Sequence, residues 1–407
     1  MDAKPVSPAA ITGTDSNGVN LYEALGGTSA CRELATAFYA RVEHDPILQP
    51  LYPPTLKGCP VKALGDFFVQ FLGGPCVYAP RRWSLSLREA HLRFKIGQRE
   101  RDAWLNNISE AIHDLNIQEP ACSALLWCFE QAATYLVNHQ RIETNEAAPS
   151  SQFYMESQPS TDTLHQDIAQ RWLTQRTLEE VVAAARKGEA YDALALIESP
   201  LLQTYFKRDH VACLSLLAIF SGSDHPILLQ YVHQQLIRYP ELAHEPYTYG
   251  RVLLHEVAAN GSLPIVELLL DLGTNPNAID RPGHTPLYYV ANECHKESGG
   301  DIVRALVQGG ADVNAPNGAK YCTALHMAAR RGNILLAEAL LDCEADIEAR
   351  DKPGDTPLRR AVNCGKTEMV AFLLSRGADV HAKGSRGLTP WQAARGDAMK
   401  KLLRALA

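Results

Sequence analysis

The 407-residue chain is short of the features that announce catalysis, nucleic-acid binding or membrane insertion. It has no Walker loop, no His-Glu-x-x-His helix and no Gly-x-Ser-x-Gly elbow, which removes phosphate-cradling, metalloprotease and serine-hydrolase chemistry at the level of motif. Neither a GxGxxG turn nor a flavin-binding pattern is present, so no reductase segment is built in. Basic residues number 39 against 46 acidic ones, a net charge of −7. The two signs are well mixed, and no basic stripe marks a nucleic-acid interface. No apolar run approaches the ~20 residues of a membrane-spanning helix. The ten cysteines form no CxxC pair and no metal-finger spacing, and read as reduced thiols of a cytoplasmic protein. Residues 1–20 lack an apolar segment and read as a mobile tail rather than a secretory signal.

What is there is a unit that recurs down the C-terminal half. Thr285-Pro286-Leu287, Thr323-Ala324-Leu325-His326, Thr356-Pro357-Leu358 and Thr389-Pro390-Trp391 each open a helical stretch, their threonines 38, 33 and 33 residues apart. Leu254-His255 extends the register one unit upstream. Units close on related turns: Gly310-Ala311-Asp312-Val313-Asn314, Glu344-Ala345-Asp346-Ile347 and Gly377-Ala378-Asp379-Val380. A period near 33 means stacked helix pairs, because one such pair cannot bury its apolar face alone. Threonine caps the first helix, and proline at its first turn has no N–H to leave unpaired. Alanines such as Ala328-Ala329, Ala258-Ala259 and Ala361 allow close helix approach, Gly332, Gly261 and Gly365 end the first helix in a left-handed turn, and Gly309-Gly310 and Gly377 end the second. Cys294, Cys322 and Cys364 fall inside these units, where a small buried thiol packs well.

This pattern closely resembles the ankyrin repeat family. The resemblance implies an α-solenoid over about 251–407 that binds a protein partner whose identity the sequence does not carry. Turn tips such as Asp280-Arg281, Pro316-Asn317 and Asp351-Lys352 are the expected contact points. The extra residues near Lys296 to Gly300 are expected in a loop between helices, either as a tolerated insertion or as a partner contact. Residues 165–250 keep helical character, begin with a helix pair from Leu178 to Ile197, and read as degenerate repeats or a helical adaptor. Residues 141–164, with two Pro-Ser pairs and no periodicity, read as a linker.

Residues 21–140 form a separate compact helical region. Thr28 is placed to cap a helix carrying Leu34, Phe38 and Val42. Asp45-Pro46 starts a short helix ending at Tyr52, and Pro60 opens one with Val61, Leu64, Phe67, Phe68, Phe71 and Leu72 at helical spacing, closed by Gly73-Gly74-Pro75. A basic stretch containing Arg81, Arg88, His91 and Arg93 follows. Two long helices end the region, one after Gly97 with Trp104, Ile108 and Ile112, the other with Leu125, Phe129 and Leu136. On pattern alone this is equally a four-helix bundle.

The combination of Phe38-Tyr39, Leu51-Tyr52-Pro53, the Phe-rich helix ending in Gly-Gly-Pro, the histidine in a basic segment and Arg99-Glu100-Arg101-Asp102-Ala103-Trp104 resembles the second group of truncated haemoglobins. The resemblance implies an all-α chain: a two-over-two helical globin followed by the ankyrin-repeat α-solenoid. It implies haem b (iron protoporphyrin IX) held by His91 as metal ligand, with the family's paired glycines on Gly26-Gly27 and Gly73-Gly74 and its pocket aromatics on Tyr39, Tyr52 and Trp104. Beside the resemblance, haem needs a neutral imidazole under the ring. His91 has Leu87 and Phe94 on its helical face and arginines around it, although a lone histidine by itself reads as an ordinary surface or core residue. Arg88 and Arg93, with Lys62 and Lys95 behind them, are candidate partners of the propionates; Ala63 sits where the family often has an arginine. Many globins place a histidine at the start of the ligand-facing helix, but here that place falls on Pro60 or its neighbour. The phenols of Tyr39 and Tyr52 and the indole of Trp104 are then the donors to a bound gas, each hydrogen bond contributing ~1 kcal/mol or more, and Leu64 and Phe67 are apolar lining. Five-coordinate ferrous iron or a water-bound ferric form is expected.

Three functions fit these residues. The first is binding of a diatomic gas (oxygen, including its transport, nitric oxide or carbon monoxide), with the array docking a partner. The second is an enzyme, a peroxidase or nitric oxide dioxygenase, drawing electrons from a separate reductase. The third is a scaffold whose globin fold has lost haem, against which the intact His91 and three aromatics speak.

Overall fold

The computed structural model describes residues 20–52, 59–75, 77–78, 86–139 and 163–405. The tail is therefore outside the described residues up to 19, as is the linker up to 162. Among the described residues the chain is helical, with one isolated bridge between Asn317 and Cys322 and no strand. No described helix is long and apolar enough to cross a membrane. The described residues up to Ala184, with Asp192–Ala212, form one compact unit; Ala185–Tyr191 and Cys213 onward form a second.

In the first unit, α1 (Leu21–Leu25) is capped by the Asn20 side chain, which accepts from Glu23 N–H. The sharp passage into α2 (Gly27–Val42) needs positive φ at Gly26 (+99°) and Gly27 (+79°), a region glycine enters without steric cost. Because the glycine turn starts α2 one residue earlier, Thr28 lies inside the helix rather than capping it, and its hydroxyl bonds the Tyr22 phenol at 2.9 Å. Cys31, Leu34, Ala35, Phe38 and Val42 recur at helical spacing and are buried. That face packs against α3 (Cys59–Phe71) and α5 (Gln98–Asp114), and α5 packs on α6 (Ala121–Leu136). Phe68, Val69, Leu72, Ile108, Ile112, Leu125 and Phe129 complete one core. Instead of the short helix expected from Asp45, the Asp45 carboxylate accepts from Ile47 and Leu48 N–H, and a single 3-10 turn spans Gln49–Leu51. Gly74 is required by contact: a Cβ there would lie 2.6 Å from the Tyr22 ring and 2.7 Å from the Val69 carbonyl oxygen.

The short α4 (Leu87–His91) packs on α6. A further helix, α7 (Thr163–Lys187), joins this unit through Ala184. Leu164 and Ile168 enter the same core. Trp172 lies edge-on to Phe71 and Tyr135, with ring centroids 6.4 and 5.9 Å apart. Residues 165–184, expected to open a repeat-like or adaptor region, group with the first compact unit.

Most of α8 (Ala190–Ile197) and all of α9 (Pro200–Phe206) belong to the first unit; the second takes up the chain at Cys213, within α10 (His210–Ser221), and continues with α11 (Pro226–Arg238). The paired helices follow: α12 (Leu253–Asn260) with α13 (Leu263–Asp271), α14 (Pro286–Glu293) with α15 (Gly299–Gln308), α16 (Ala324–Arg331) with α17 (Ile334–Asp342), α18 (Pro357–Asn363) with α19 (Thr367–Ser375), and α20 (Pro390–Ala393) with α21 (Asp397–Ala405). First helices stack on first helices and second on second along the series. Thr285, Thr356 and Thr389 accept from the N–H three residues on, as the repeat demands.

In three of the units the fourth side chain links the unit to the next. His255 Nε2 bonds the His284 carbonyl at 3.2 Å, His326 Nε2 bonds the Asp355 carbonyl at 2.9 Å, and Arg359, in the same place, reaches the Leu388 and Thr389 carbonyls at 2.6 and 2.9 Å. A second ladder joins the closing turns: Asp312 N–H donates to Asn277, Asp346 N–H to Asn314 and Asp379 N–H to Glu348. Of the expected partner-facing tips, Asp280, Asn317 and Asp351 are buried. They are spent on the fold: Asp280 accepts from His284 N–H and the Tyr289 hydroxyl, Asn317 from Thr285 N–H, and Asp351 from Asp355 N–H and Arg360. Arg281, Pro316 and Lys352 remain exposed. The insertion loop folds back on earlier units, with Lys296 bonding Asp224 at 2.7 Å and Ser298 bonding the Gly261 carbonyl at 2.7 Å. Cys294 and Cys322 are buried as expected, whereas Cys364 is exposed.

Candidate functional site

Two groups of residues in the first unit carry chemistry. One is aromatic. Tyr39 on α2 is buried, and its ring meets Tyr52 edge-on at 5.6 Å. Phe38, its neighbour, holds Trp104 of α5 at 5.3 Å, and Trp104 meets Phe129 at 5.7 Å. The Trp104 indole N–H donates to the Tyr52 oxygen. Burial, and then the neighbouring Tyr39, push the Tyr52 phenol well above its ordinary range, while the indole bond opposes them. Tyr52 is therefore a neutral phenol that accepts one bond and retains its own O–H to donate. Three aromatics separated in sequence by up to 65 positions are brought together here. Val61, Leu64 and Phe67 on α3 pack partly buried against the same core, and Phe67 stacks on Phe71 at 5.2 Å with Tyr78 edge-on at 5.4 Å.

The other group surrounds His91, the last residue of α4. Its Nδ1 lies 2.7 Å from the Leu87 carbonyl oxygen. A carbonyl only accepts, so Nδ1 carries the proton and the lone pair is on Nε2. Burial holds the imidazole below its ordinary pKa; the Leu87 bond and Glu179 act against that, and Arg93 reinforces it. The ring is thus neutral near pH 7. Among the described residues Nε2 makes no hydrogen bond. The repeat histidines differ: His326 Nδ1 accepts from Thr323 N–H and its Nε2 donates to Asp355, and His255 does the same with Val252 and His284. Both nitrogens of those rings are committed to the fold.

The chain past His91 is fixed by Asn138. Its amide donates to the His91 and Phe94 carbonyls at 3.3 and 3.0 Å, and its oxygen accepts from Ile96 N–H at 3.0 Å. Arg88 and Arg93 are exposed, their guanidinium carbons 5.6 Å over the Tyr135 ring and 4.7 Å over the Phe94 ring. Lys62 lies 3.8 Å from the buried Asp66, which also pairs with Arg32 at 3.2 Å. Sequence reasoning missed Asn138 and Glu179, which lie outside any recognisable motif and carry no local signal of their role.

A neutral imidazole held by a carbonyl bond, with Nε2 bare, is the donor that haem iron takes, and a phenol–indole–phenol group is the polar part such a pocket needs. The residues fit the group. Residues 20–138 match the family described as bacterial-like globin, and the overlapping stretches 214–317, 254–351 and 294–384 each match the family described as ankyrin repeats (3 copies). The group 2 truncated hemoglobin YjbI of Bacillus subtilis is 32% identical over 122 residues, 30% of this chain and 91% of the relative. A solved hemoglobin from the thermophilic phototrophic bacterium Chloroflexus aurantiacus is 38% identical, covering 30% of this chain and all of that one, with a TM-score of 0.29. The human ankyrin repeat and SOCS box protein 16 is 33% identical over 149 residues, but the chain spans only 32% of its length. For alpha-latrotoxin-Lt1a of Latrodectus tredecimguttatus the identity is 34% and the share spanned 9%.

By its N-terminal unit the chain belongs to the bacterial-like globin family, among the truncated haemoglobins. Ankyrin repeats make up its C-terminal region.

Proposed function

We propose that the N-terminal unit binds haem b through His91 and, at that haem, a diatomic gas, while the array docks a protein partner. When bound, haem would supply the iron that takes oxygen, nitric oxide or carbon monoxide. The observation that carries this reading is the state of His91: its partly buried imidazole directs the Nδ1 proton to a carbonyl and keeps Nε2 for a metal, whereas His44 and His113, whose Nδ1 also meets a carbonyl four residues back, are exposed. Tyr52, with Tyr39 and Trp104 behind it, serves as the donor to the gas. Leu64 and Phe67 keep water from the pocket, and Arg88 and Arg93 are the propionate partners. The buried, unpaired thiols fit a reducing, cytoplasmic setting.

The test is haem titration of the full chain with His91→Ala beside the wild type. Retention of the Soret and visible bands of the wild type by His91→Ala refutes the ligand; a wild type that takes up no haem refutes the function. The continuous Trp104–Tyr52–Tyr39 contact favours a second reading, peroxidase or nitric oxide dioxygenase activity with electrons from a partner reductase, since such rings carry oxidising equivalents. Peroxide turnover that survives both Tyr39→Phe and Trp104→Phe sinks that role. Gas-linked docking is read from partner affinity of the oxygenated and deoxy forms, and equal affinities exclude it.

A further inference from the structure

Glu179 lies on α7, beyond the residues matched to the globin family, and is 3% exposed. Its carboxylate accepts five hydrogen bonds. Oε1 takes Leu87 N–H at 2.6 Å and the Gln175 amide at 3.1 Å; Oε2 takes the Ser86 hydroxyl at 2.7 Å, the Tyr135 hydroxyl at 3.1 Å and Arg88 N–H at 3.3 Å. Burying a carboxylate is costly unless its lone pairs are used, and here they are. Three of the five donors belong to the start of α4, the helix that ends in His91. Ser86 in turn caps that helix by accepting from Glu89 N–H at 3.0 Å.

One peptide group has a particular place in this arrangement. The unit joining Leu87 to Arg88 gives its N–H to Glu179 and receives the His91 Nδ1 proton on its C=O. Donating to an anion polarises a peptide and makes its carbonyl a better acceptor, because successive hydrogen bonds strengthen one another. A stronger acceptor at Nδ1 pushes electron density toward Nε2. Metal-bound histidines commonly have a carboxylate or carbonyl in this outer position, and it raises their basicity as ligands.

We propose that Glu179 is a positioning residue for the haem ligand: it fixes the first turn of α4 and, through the Leu87–Arg88 peptide, sets how strongly His91 donates to iron. This rests on the reading of His91 as that ligand. The helix that follows the globin unit thereby becomes part of the haem site.

The test uses the full chain loaded with haem. Glu179→Gln keeps the shape and loses the charge. Its iron–histidine stretching frequency, read by resonance Raman on the reduced protein, is expected to fall, and haem dissociation to quicken ~10-fold, the usual scale for outer-shell changes. Tyr135→Phe removes a competing donor from Oε2, leaves more of its charge to Arg88 N–H, and is expected to move the frequency the opposite way. Opposite shifts support the relay, which a purely structural staple would not produce. An unchanged frequency in either variant, or shifts of the same sign, overturns it; if Glu179→Gln does not fold, Tyr135→Phe alone decides. Histidine-selective nitrogen NMR on the haem-free chain gives a separate arm: the His91 Nδ1–H proton is expected to move upfield in Glu179→Gln, and its failure to move counts against the relay. Failure of the wild type to bind haem refutes the ligand reading without touching that arm.

Discussion

Replacing His326 by alanine removes the link between the third and fourth clear repeats. The imidazole is fully buried. Its Nε2–H donates to the Asp355 carbonyl at 2.9 Å, and its Nδ1 accepts from Thr323 N–H at 3.2 Å and lies 2.8 Å from the Thr323 hydroxyl. Alanine leaves the Thr323 N–H without its partner, at ~1–3 kcal/mol for a buried group stranded, and leaves the Asp355 carbonyl only its bond from Asp351 N–H at 3.1 Å. Allowing for partial relaxation, the expected loss is ~2 kcal/mol. In a stacked array a weakened interface is felt by its neighbours on either side, so the loss should spread through α16 to α19 and leave the first unit unaffected. Hydrogen exchange resolved by segment measures this without assuming one transition for the whole chain. The effect also carries a pH signature. Burial holds the His326 pKa below its ordinary value, with the Asp355 bond and nearby carboxylates opposing. The unfolded chain accepts a proton below pH ~6.5 that the native ring resists. Stability from the neutral imidazole is therefore present above that pH and is lost as pH falls toward the depressed native value. His326→Gln should flatten this part of the pH profile. A loss in His326→Ala below ~1 kcal/mol, or one spread equally over α2 and α5, refutes the reasoning.

Four further outcomes are expected. Tyr52→Phe and Trp104→Phe should each speed oxygen release by about tenfold, one hydrogen bond's worth, and the double variant should fall well short of the product because the two side chains share one bond; flash photolysis measures both. Trp172→Ala should cost the first unit ~3 kcal/mol in urea titration, the low end for a buried tryptophan. Asn107→Ala, which removes the 2.6 Å bond to Asp45, should cost ~1–2 kcal/mol. Burial opposes ionisation of Asp45, but the Leu48, Asn107 and Ile47 bonds outweigh it and hold its pKa low; that stability is present above the ordinary carboxylate range, is lost as pH falls through the depressed value, and should shrink in Asn107→Ala on acid titration.

The repeats were legible because each unit pays the same local rules: a threonine cap, close-packed alanines and a glycine stop recur at one spacing. The helices of the first unit were legible from their apolar faces, and their order with the paired glycines and aromatics pointed to the globin. Thr28 was misplaced because two positive-φ glycines moved the helix start. The turn acids Asp280 and Asp351 were misplaced because hydrophilic turn residues look alike whether they face solvent or close a network. Glu179 and Asn138 were out of reach because both act on α4 across 40 or more residues of chain, and no local pattern encodes such a partner.

The packing of α7 bears on where this protein can be cut. A fragment ending where the globin match ends, at residue 138, would strip Leu164 and Ile168 from the core, bare the Trp172-covered rings of Phe71 and Tyr135, and leave the amide donors at the start of α4 facing water. Such a fragment should be sticky, while one extended through Ala212, the end of the first compact unit, should behave as an autonomous piece. The end of the first compact unit thus lies beyond the place where family likeness stops.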